Sequence, residues 1–371
     1  MSAPTVVDVR ARIRETLARA VLPYAEQWER QRHISTTGWR DMGAAGLFAL
    51  AHSGPGFLDS AVLLEELGNT GYAGIRAAVG VHAYMAASYL EMFGSAEQRA
   101  AYRPGMLAGT TVAALAISED AAGSDLRHLS TVATPDGVGG YRLTGVKRHV
   151  ANGSRAGVFV VLARLDGAVS GHGLTGAVLL LVDADRPGVT REPEAMVGWH
   201  SADVCRVGFT DVPVAGDRVI GRPERTLLYL MQALNAERLV AGLLAVGGVA
   251  YCVELVDRFA RTHLIRDAPL SANQSVRHRL ADLHAQLDLV REYGRHAARA
   301  HSRGELDVRT ASVLKLQATE LAVSAAQTCV QYHGARGYRE ESAAARLYRD
   351  AMAGTIAAGA SELMREMIFE G

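Results

Sequence analysis

Cysteine is scarce in this chain. Cys205, Cys252 and Cys329 lie far apart, match no zinc spacing and are too few to staple 371 residues, so they read as buried thiols of a reducing compartment, and no metal centre is expected. Net charge is missing too, since 39 Lys and Arg balance 39 Asp and Glu. That excludes the one-signed field a nucleic-acid or membrane-surface binder relies on. No uninterrupted stretch reaches the roughly 18 apolar residues of a membrane-spanning helix. The first turns carry Asp8, Arg10, Arg12, Arg14 and Glu15 where a signal peptide would be apolar. A soluble, cytoplasmic protein is therefore the expectation. Aromatics supply only 6% of the residues, leaving aliphatic and alanine side chains to build the core.

What is present divides into three blocks. A chain this long exceeds what one core covers, so two or three units are expected. Residues 1–110 are helical in pattern, 111–222 switch toward a period of two, and 223–371 return to long helical runs. The fold class is thus α+β: an N-terminal helical domain, a central β-barrel or sandwich, and a C-terminal four-helix bundle.

In the first block, Val9, Ile13, Leu17 and Val21 repeat at helical spacing, and Pro23 marks a break or kink. A short helix around Trp39–Gly43 precedes the loop Ser53-Gly54-Pro55-Gly56. Glu65 and Glu66 are neighbours in the next helix, where their side chains point about 100° apart, so a solvated face is expected. His82 sits among apolar residues from Ile75 to Met92 and reads as a packed histidine. Ser95 is a plausible N-cap.

The most informative stretch is Thr111 to Arg164. Short β-rich runs surround a small-residue turn, Ala121-Ala122-Gly123-Ser124, where glycine and serine let backbone N–H groups come close to a ligand and Asp125 can cap the next segment of chain. A second piece, Lys147-Arg148-His149-Val150-Ala151-Asn152-Gly153, lies downstream. Together they resemble the flavin-binding middle domain of the acyl-CoA dehydrogenase family. The resemblance extends to Gln331-Tyr332-His333-Gly334-Ala335-Arg336-Gly337-Tyr338 and to Arg346-Leu347-Tyr348-Arg349-Asp350-Ala351, and so covers nearly the whole chain. The loop after Leu50 is shorter than the family's usual one.

The resemblance implies FAD as cofactor, with Ile117, Ser118, Gly123, Ser124, His149, Val150, Ala151, Gln331, Gly334 and Ala335 as flavin contacts. His149 stands where the family has tryptophan, and Ala151 where it has threonine. In relatives an arginine reaches the FAD pyrophosphate of a neighbouring subunit; here that position is His263, and Arg266, one turn away, can take its place because a guanidinium pairs well with phosphate. A homo-oligomer, dimer or tetramer, is implied.

In the family a carboxylate removes the α-proton of an acyl thioester while the β-hydrogen leaves as hydride to flavin N5. The family's usual tail glutamate corresponds to Ala358, which can offer its N–H to the substrate carbonyl but cannot accept a proton. Isovaleryl and long-chain members instead place the base on the first long helix of the C-terminal domain, directly before an arginine, as in Asn235-Ala236-Glu237-Arg238 here. Glu237 is then the general base and Arg238 its electrostatic neighbour; the bland alternative is a first-turn acid favoured by the helix dipole. Glu362, one turn after Ala358, is a weaker candidate. The substrate is implied to be an acyl group on coenzyme A or on the phosphopantetheine of an acyl carrier protein, and an electron-transfer flavoprotein or oxygen the reoxidant. Loss of the tryptophan, threonine and tail glutamate keeps open a second reading, a flavin-dependent oxidase or monooxygenase on the same fold; a non-enzymatic reading, a scaffold that binds a partner and no longer turns over, stands beside them.

Overall fold

The structure is a computed structural model that describes residues 6–50, 56–167, 174 and 176–371. Most of the loop after Leu50, the one expected to be shorter than the family's, lies outside the described residues.

Among the described residues seven α-helices precede the sheet: α1 (Val6–Ala20), α2 (Leu22–Gln31), α3 (Thr36–Ala44), α4 (Phe57–Gly68), α5 (Ala73–Gly80), α6 (Ala87–Phe93) and α7 (Ala96–Leu107). Pro23 falls in the first turn of α2, where its missing N–H costs nothing, so it starts a helix instead of kinking one. Ser95 caps α7 in a full capping box with Gln98. The apolar run from Ile75 to Met92 is not one regular helix. Residues Val81–Ala86 form a π-helical turn between α5 and α6, a feature that inserts an extra residue into the helical phase. His82 anchors it: the ring is 1% exposed, Nδ1 accepts from the Ala113 N–H at 3.0 Å, and Nε2 meets the Met106 carbonyl at 3.1 Å. Burial pushes this imidazole down to about 4, so it is neutral.

Glu65 and Glu66 correct the expected solvated face. They are 9% and 4% exposed and are held by cations from distant elements. Arg10 bonds both, Arg14 Nε lies 2.7 Å from Glu66, and Arg291 Nε lies 2.8 Å from Glu65. Neighbouring helix positions do diverge, but here both directions lead into packed protein, where a carboxylate survives only with partners.

The middle block forms a seven-stranded mixed sheet from β1 (Val112–Ala116), β2 (Val132–Pro135), β3 (Tyr141–Val150), β4 (Ala156–Leu165), β5 (Ala177–Asp183), β6 (Val189–Pro193) and β7 (Cys205–Val214). β1 and β2 run parallel to β4 and share one of its edges end to end, while β5 pairs antiparallel along the other. β4 is buried over most of its length as a consequence.

The C-terminal helices are α8 (Thr226–Thr262), α9 (Gln274–Ser302), α10 (Val308–His333), α11 (Ala343–Ile356) and α12 (Ser361–Glu370), with a small hairpin of β8 (Leu264–Ile265) and β9 (Ala268–Pro269) between α8 and α9. α8 is long and apolar enough to cross a bilayer, yet 67% of its most apolar window is buried inside the protein. Its glycines let α4 approach closely, for a Cβ on Gly247 would meet the Glu65 carbonyl at 1.9 Å.

A polar junction ties the three blocks. Asp350 of α11, 2% exposed, accepts the Trp199 N–H at 2.7 Å, and Trp199 Nε1 donates to the Asp350 carbonyl at 3.1 Å. Ser201 Oγ donates to Glu29 of α2 at 2.8 Å. Arg346 donates to the Gly71 carbonyl at 3.2 Å and lies 3.9 Å above the Tyr72 ring. The Arg-x-Tyr-Arg-Asp-Ala segment is therefore a joint between helices and sheet. The three cysteines are free and buried, as expected.

Candidate active site

Glu237 lies well inside α8, not in its first turn, and is 5% exposed. Ala233 and Leu230, one and two turns earlier on the same face, are buried as well, so the helix carries its carboxylate into the core at helical spacing. Tyr89 of α6, fully buried, donates its hydroxyl to Glu237 Oε1 at 3.1 Å. Burial pushes the carboxyl up to about 7, against the Tyr89 hydrogen bond and the Arg238 charge, which pull it down. Burial and the adjacent carboxylate drive the Tyr89 phenol well above its ordinary range, so it stays a donor. Arg238 is 6% exposed and its Nε has no hydrogen-bond partner among the described residues. A poised carboxyl, a fixed donor and an unpaired cation thus share one buried spot.

Ala358 sits in a turn between α11 and α12. Its φ is +53°, a left-handed conformation seldom taken by alanine, and Gly359 follows at +99°. The Gly359 carbonyl accepts from the ammonium of Lys315 on α10. Glu362 is exposed. No hydrogen bond among the described residues joins Glu237 to this turn.

The small-residue turn after β1 is anchored from beneath. Glu119 accepts from Lys147 Nζ at 2.7 Å, from the Ser130 N–H at 2.7 Å and from the Thr131 N–H at 3.0 Å. Lys147, fully buried, also donates to the Ile117 carbonyl at 2.9 Å. Burial resists ionisation of Glu119, but Lys147 and the hydroxyl and amide donors overcome it and bring the carboxyl down to about 2. Above this base Gly123 and Ser124 are exposed, and a Cβ on Gly123 would meet nothing within 4 Å. Asp125 does cap, accepting the Arg127 N–H at 3.0 Å. His149 has φ +57° and an exposed ring whose Nδ1 lies 3.1 Å from Glu194 Oε2. Val150 is buried and Ala151 half-buried.

Gln331, Gly334 and Ala335 are exposed at the end of α10. Gly334 has φ +59° and open space where a Cβ would stand. His333 stacks on Phe259 at 4.0 Å, and Phe259 on His263 at 4.7 Å. This column sets the Gln331–Ala335 loop beside the β8–β9 hairpin, whose tip carries exposed Arg266 at φ +48°. No hydrogen bond or ion pair among the described residues links this group to the turn after β1.

Family models match the chain in three consecutive pieces: the acyl-CoA dehydrogenase N-terminal domain over residues 4–110, the middle domain over 114–212 and the C-terminal domain over 227–371. The chain belongs to the acyl-CoA dehydrogenase family. The mitochondrial long-chain specific acyl-CoA dehydrogenase of Rattus norvegicus is 29% identical over 368 residues, spanning 97% of this chain and 84% of that protein. The crystal structure of acyl-CoA dehydrogenase from Geobacillus kaustophilus superposes with a TM-score of 0.91 at 30% identity, covering 97% of this chain and 96% of that one. The prolyl acyl carrier protein oxidase AnaB has the same fold, with a TM-score of 0.91 at 24% identity over 99% of each chain. Acyl-CoA dehydrogenases are FAD-dependent oxidoreductases acting on CH–CH groups, and this chain is one of them. The residues present fit the cofactor. Ser118, Ser124 and Gln331 have side chains without protein partners among the described residues, and Gly123 and Gly334 leave open space for a flat ring and its phosphates.

Sequence reasoning missed Tyr89 and Lys315. A lysine flanked by Leu314 and Leu316, inside an apolar helical run, was the available signal for Lys315. Tyr89 left none, because the π-helical turn resets its phase.

Proposed function

We propose that this acyl-CoA dehydrogenase oxidises an acyl thioester at its α and β carbons with Glu237 as the general base. A thioester α-hydrogen is very weakly acidic, so a competent site combines a carboxylate poised near neutral pH with donors at the carbonyl oxygen and exclusion of water. One observation carries the reading: Glu237 is buried, holds a hydrogen bond from Tyr89, and has a proton affinity raised to about 7. Glu237 takes the α-proton, the Ala358 N–H donates to the developing enolate oxygen, and Arg238 stabilises the carboxylate before transfer. A flavin held by the residues named below would supply the acceptor for the β-hydrogen, which leaves as hydride.

For the cofactor we propose two contributing surfaces: Ile117, Ser118, Gly123, Ser124, His149, Val150 and Ala151 from one chain, and Gln331, Gly334, Ala335 and Arg266 from a second copy. The reading is supported by the exposure of residues in both groups and by the absence, among the described residues, of any hydrogen bond or ion pair between them. The acyl carrier is coenzyme A or a carrier protein, which share a pantetheine thioester, and an electron-transfer flavoprotein is the proposed reoxidant.

Glu237→Gln tests the assignment. The purified holoprotein is mixed anaerobically with a panel of acyl thioesters and flavin bleaching is followed. Bleaching is expected to fall by several orders of magnitude; retention would place the base elsewhere. Prompt peroxide formation when air is admitted to the reduced wild type would instead favour the oxidase.

A further inference from the structure

Lys315 is among the largest fully buried side chains of the protein. Burying an ammonium is expensive unless it is paired, yet no carboxylate lies within ion-pair distance of it among the described residues. Its hydrogen bond goes instead to the carbonyl of Gly359. Burial, chiefly, lowers its proton affinity to about 8, with Glu320 and Glu362 raising it and Arg238 lowering it further, so the side chain is still mainly an ammonium at neutral pH. The carbonyl it grips is not a helix-end acceptor, since α11 ends at Ile356 and α12 begins at Ser361.

The turn itself has few means of holding its shape. Residues 357–360 are three alanines and a glycine, and α12 starts without a side-chain cap. Ala358 and Gly359 are both left-handed, a costly choice for alanine of about 1 kcal/mol. No backbone hydrogen bond among the described residues starts from the Ala358 N–H. It is left free for another acceptor.

We propose that Lys315 is a positioning residue for the reaction: by donating to the Gly359 carbonyl it locks two consecutive left-handed residues and so fixes the direction of the Ala358 N–H that donates to the enolate oxygen. This rests on the reading of Ala358 as oxyanion donor. Were the carbonyl released, the alanine would relax toward the right-handed region and turn its N–H away.

The test uses flavin-loaded holoprotein and a 3-ketoacyl pantetheine thioester. That ligand is already oxidised at its β carbon, so it ionises without transferring hydride: the α C–H bond breaks, the proton passes to Glu237, and the electron pair moves onto the carbonyl oxygen. Enolate absorbance against pH gives the ionisation constant of the bound ligand. Lys315→Met is expected to weaken that ionisation about 10- to 100-fold, and Lys315→Gln nearly as much. Lys315→Arg, which keeps a cationic donor, is expected to recover most of it. Wild-type ionisation in either Lys315→Met or Lys315→Gln overturns the proposal. Failure of both variants to fold overturns it too, since such a residue would be holding α10 in the core and not the turn. If wild-type protein itself leaves the ligand un-ionised, the oxyanion reading falls and this inference with it, an outcome distinct from the other two.

Discussion

Tyr89 and Glu237 meet at 3.1 Å across 148 residues of sequence, a hydroxyl of an N-terminal helix donating to a carboxylate of the C-terminal bundle. The contact spans two blocks that are far apart in the chain, and it sits where the proposed proton transfer occurs.

Tyr89→Phe removes a donor that favours the ionised carboxylate, so the carboxyl should climb above its value of about 7. The rising limb of flavin-reduction rate against pH is expected to move upward by about one pH unit, given that a hydrogen bond to a charged group contributes on the order of 1.5 kcal/mol or more. Stopped-flow reduction under nitrogen at several pH values measures it. A limb that stays in place would show that Tyr89 does not tune the base.

Glu237→Gln should alter stability as well as activity. The folded chain keeps this proton up to about pH 7, whereas a carboxyl at the ordinary value of 4.5 has already released it. Between those values the folded state binds more protons, so wild-type stability declines as pH rises. The variant lacks this decline and is expected to gain up to about 3 kcal/mol relative to wild type between roughly pH 4.5 and 8. Parallel melting curves across that range would expose identical pH slopes if the carboxyl is not perturbed.

Lys147→Met strands the buried Glu119 under the turn that carries Ser118, Gly123 and Ser124. Loss of one partner of a buried pair costs about 3–5 kcal/mol, and the loosened turn should release FAD on dialysis. Adding Glu119→Gln is expected to restore part of both, the signature of direct coupling. Flavin retained per chain is the readout, and undiminished retention in the single variant would refute the anchoring role.

Arg10→Met should destabilise by about 2–3 kcal/mol, because Glu66 is left with Arg14 alone and Glu65 with Arg291. Urea melts report it, and a change of about 1 kcal/mol or less, the usual range for an exposed pair, would mean that the acidic pair is effectively solvated.

Much of this molecule was legible in the order of its residues. Helical periodicity set out the first and last blocks, alternation marked the strands, and Ser95 announced a cap, because these signals are local and depend on neighbours a few positions apart. The Glu237-Arg238 pair and the alanine at position 358, set beside the family resemblance, pointed to the proposed base. Other features depended on contacts between remote segments. Glu65 and Glu66 looked solvated until Arg10, Arg14 and Arg291 arrived from elsewhere to neutralise them. The π-helical turn was hidden because its anchor, His82, bonds to β1 and α7 and not to its own helix. Whether the acid on α8 would be poised near neutrality was likewise undetermined, since proton affinity depends on how much water the fold removes and on which donor it brings. The chain on its own therefore specified where helices and strands run and which residues are candidates for the chemistry; burial and long-range partners, available only once the three blocks had packed, decided the charge states of those residues.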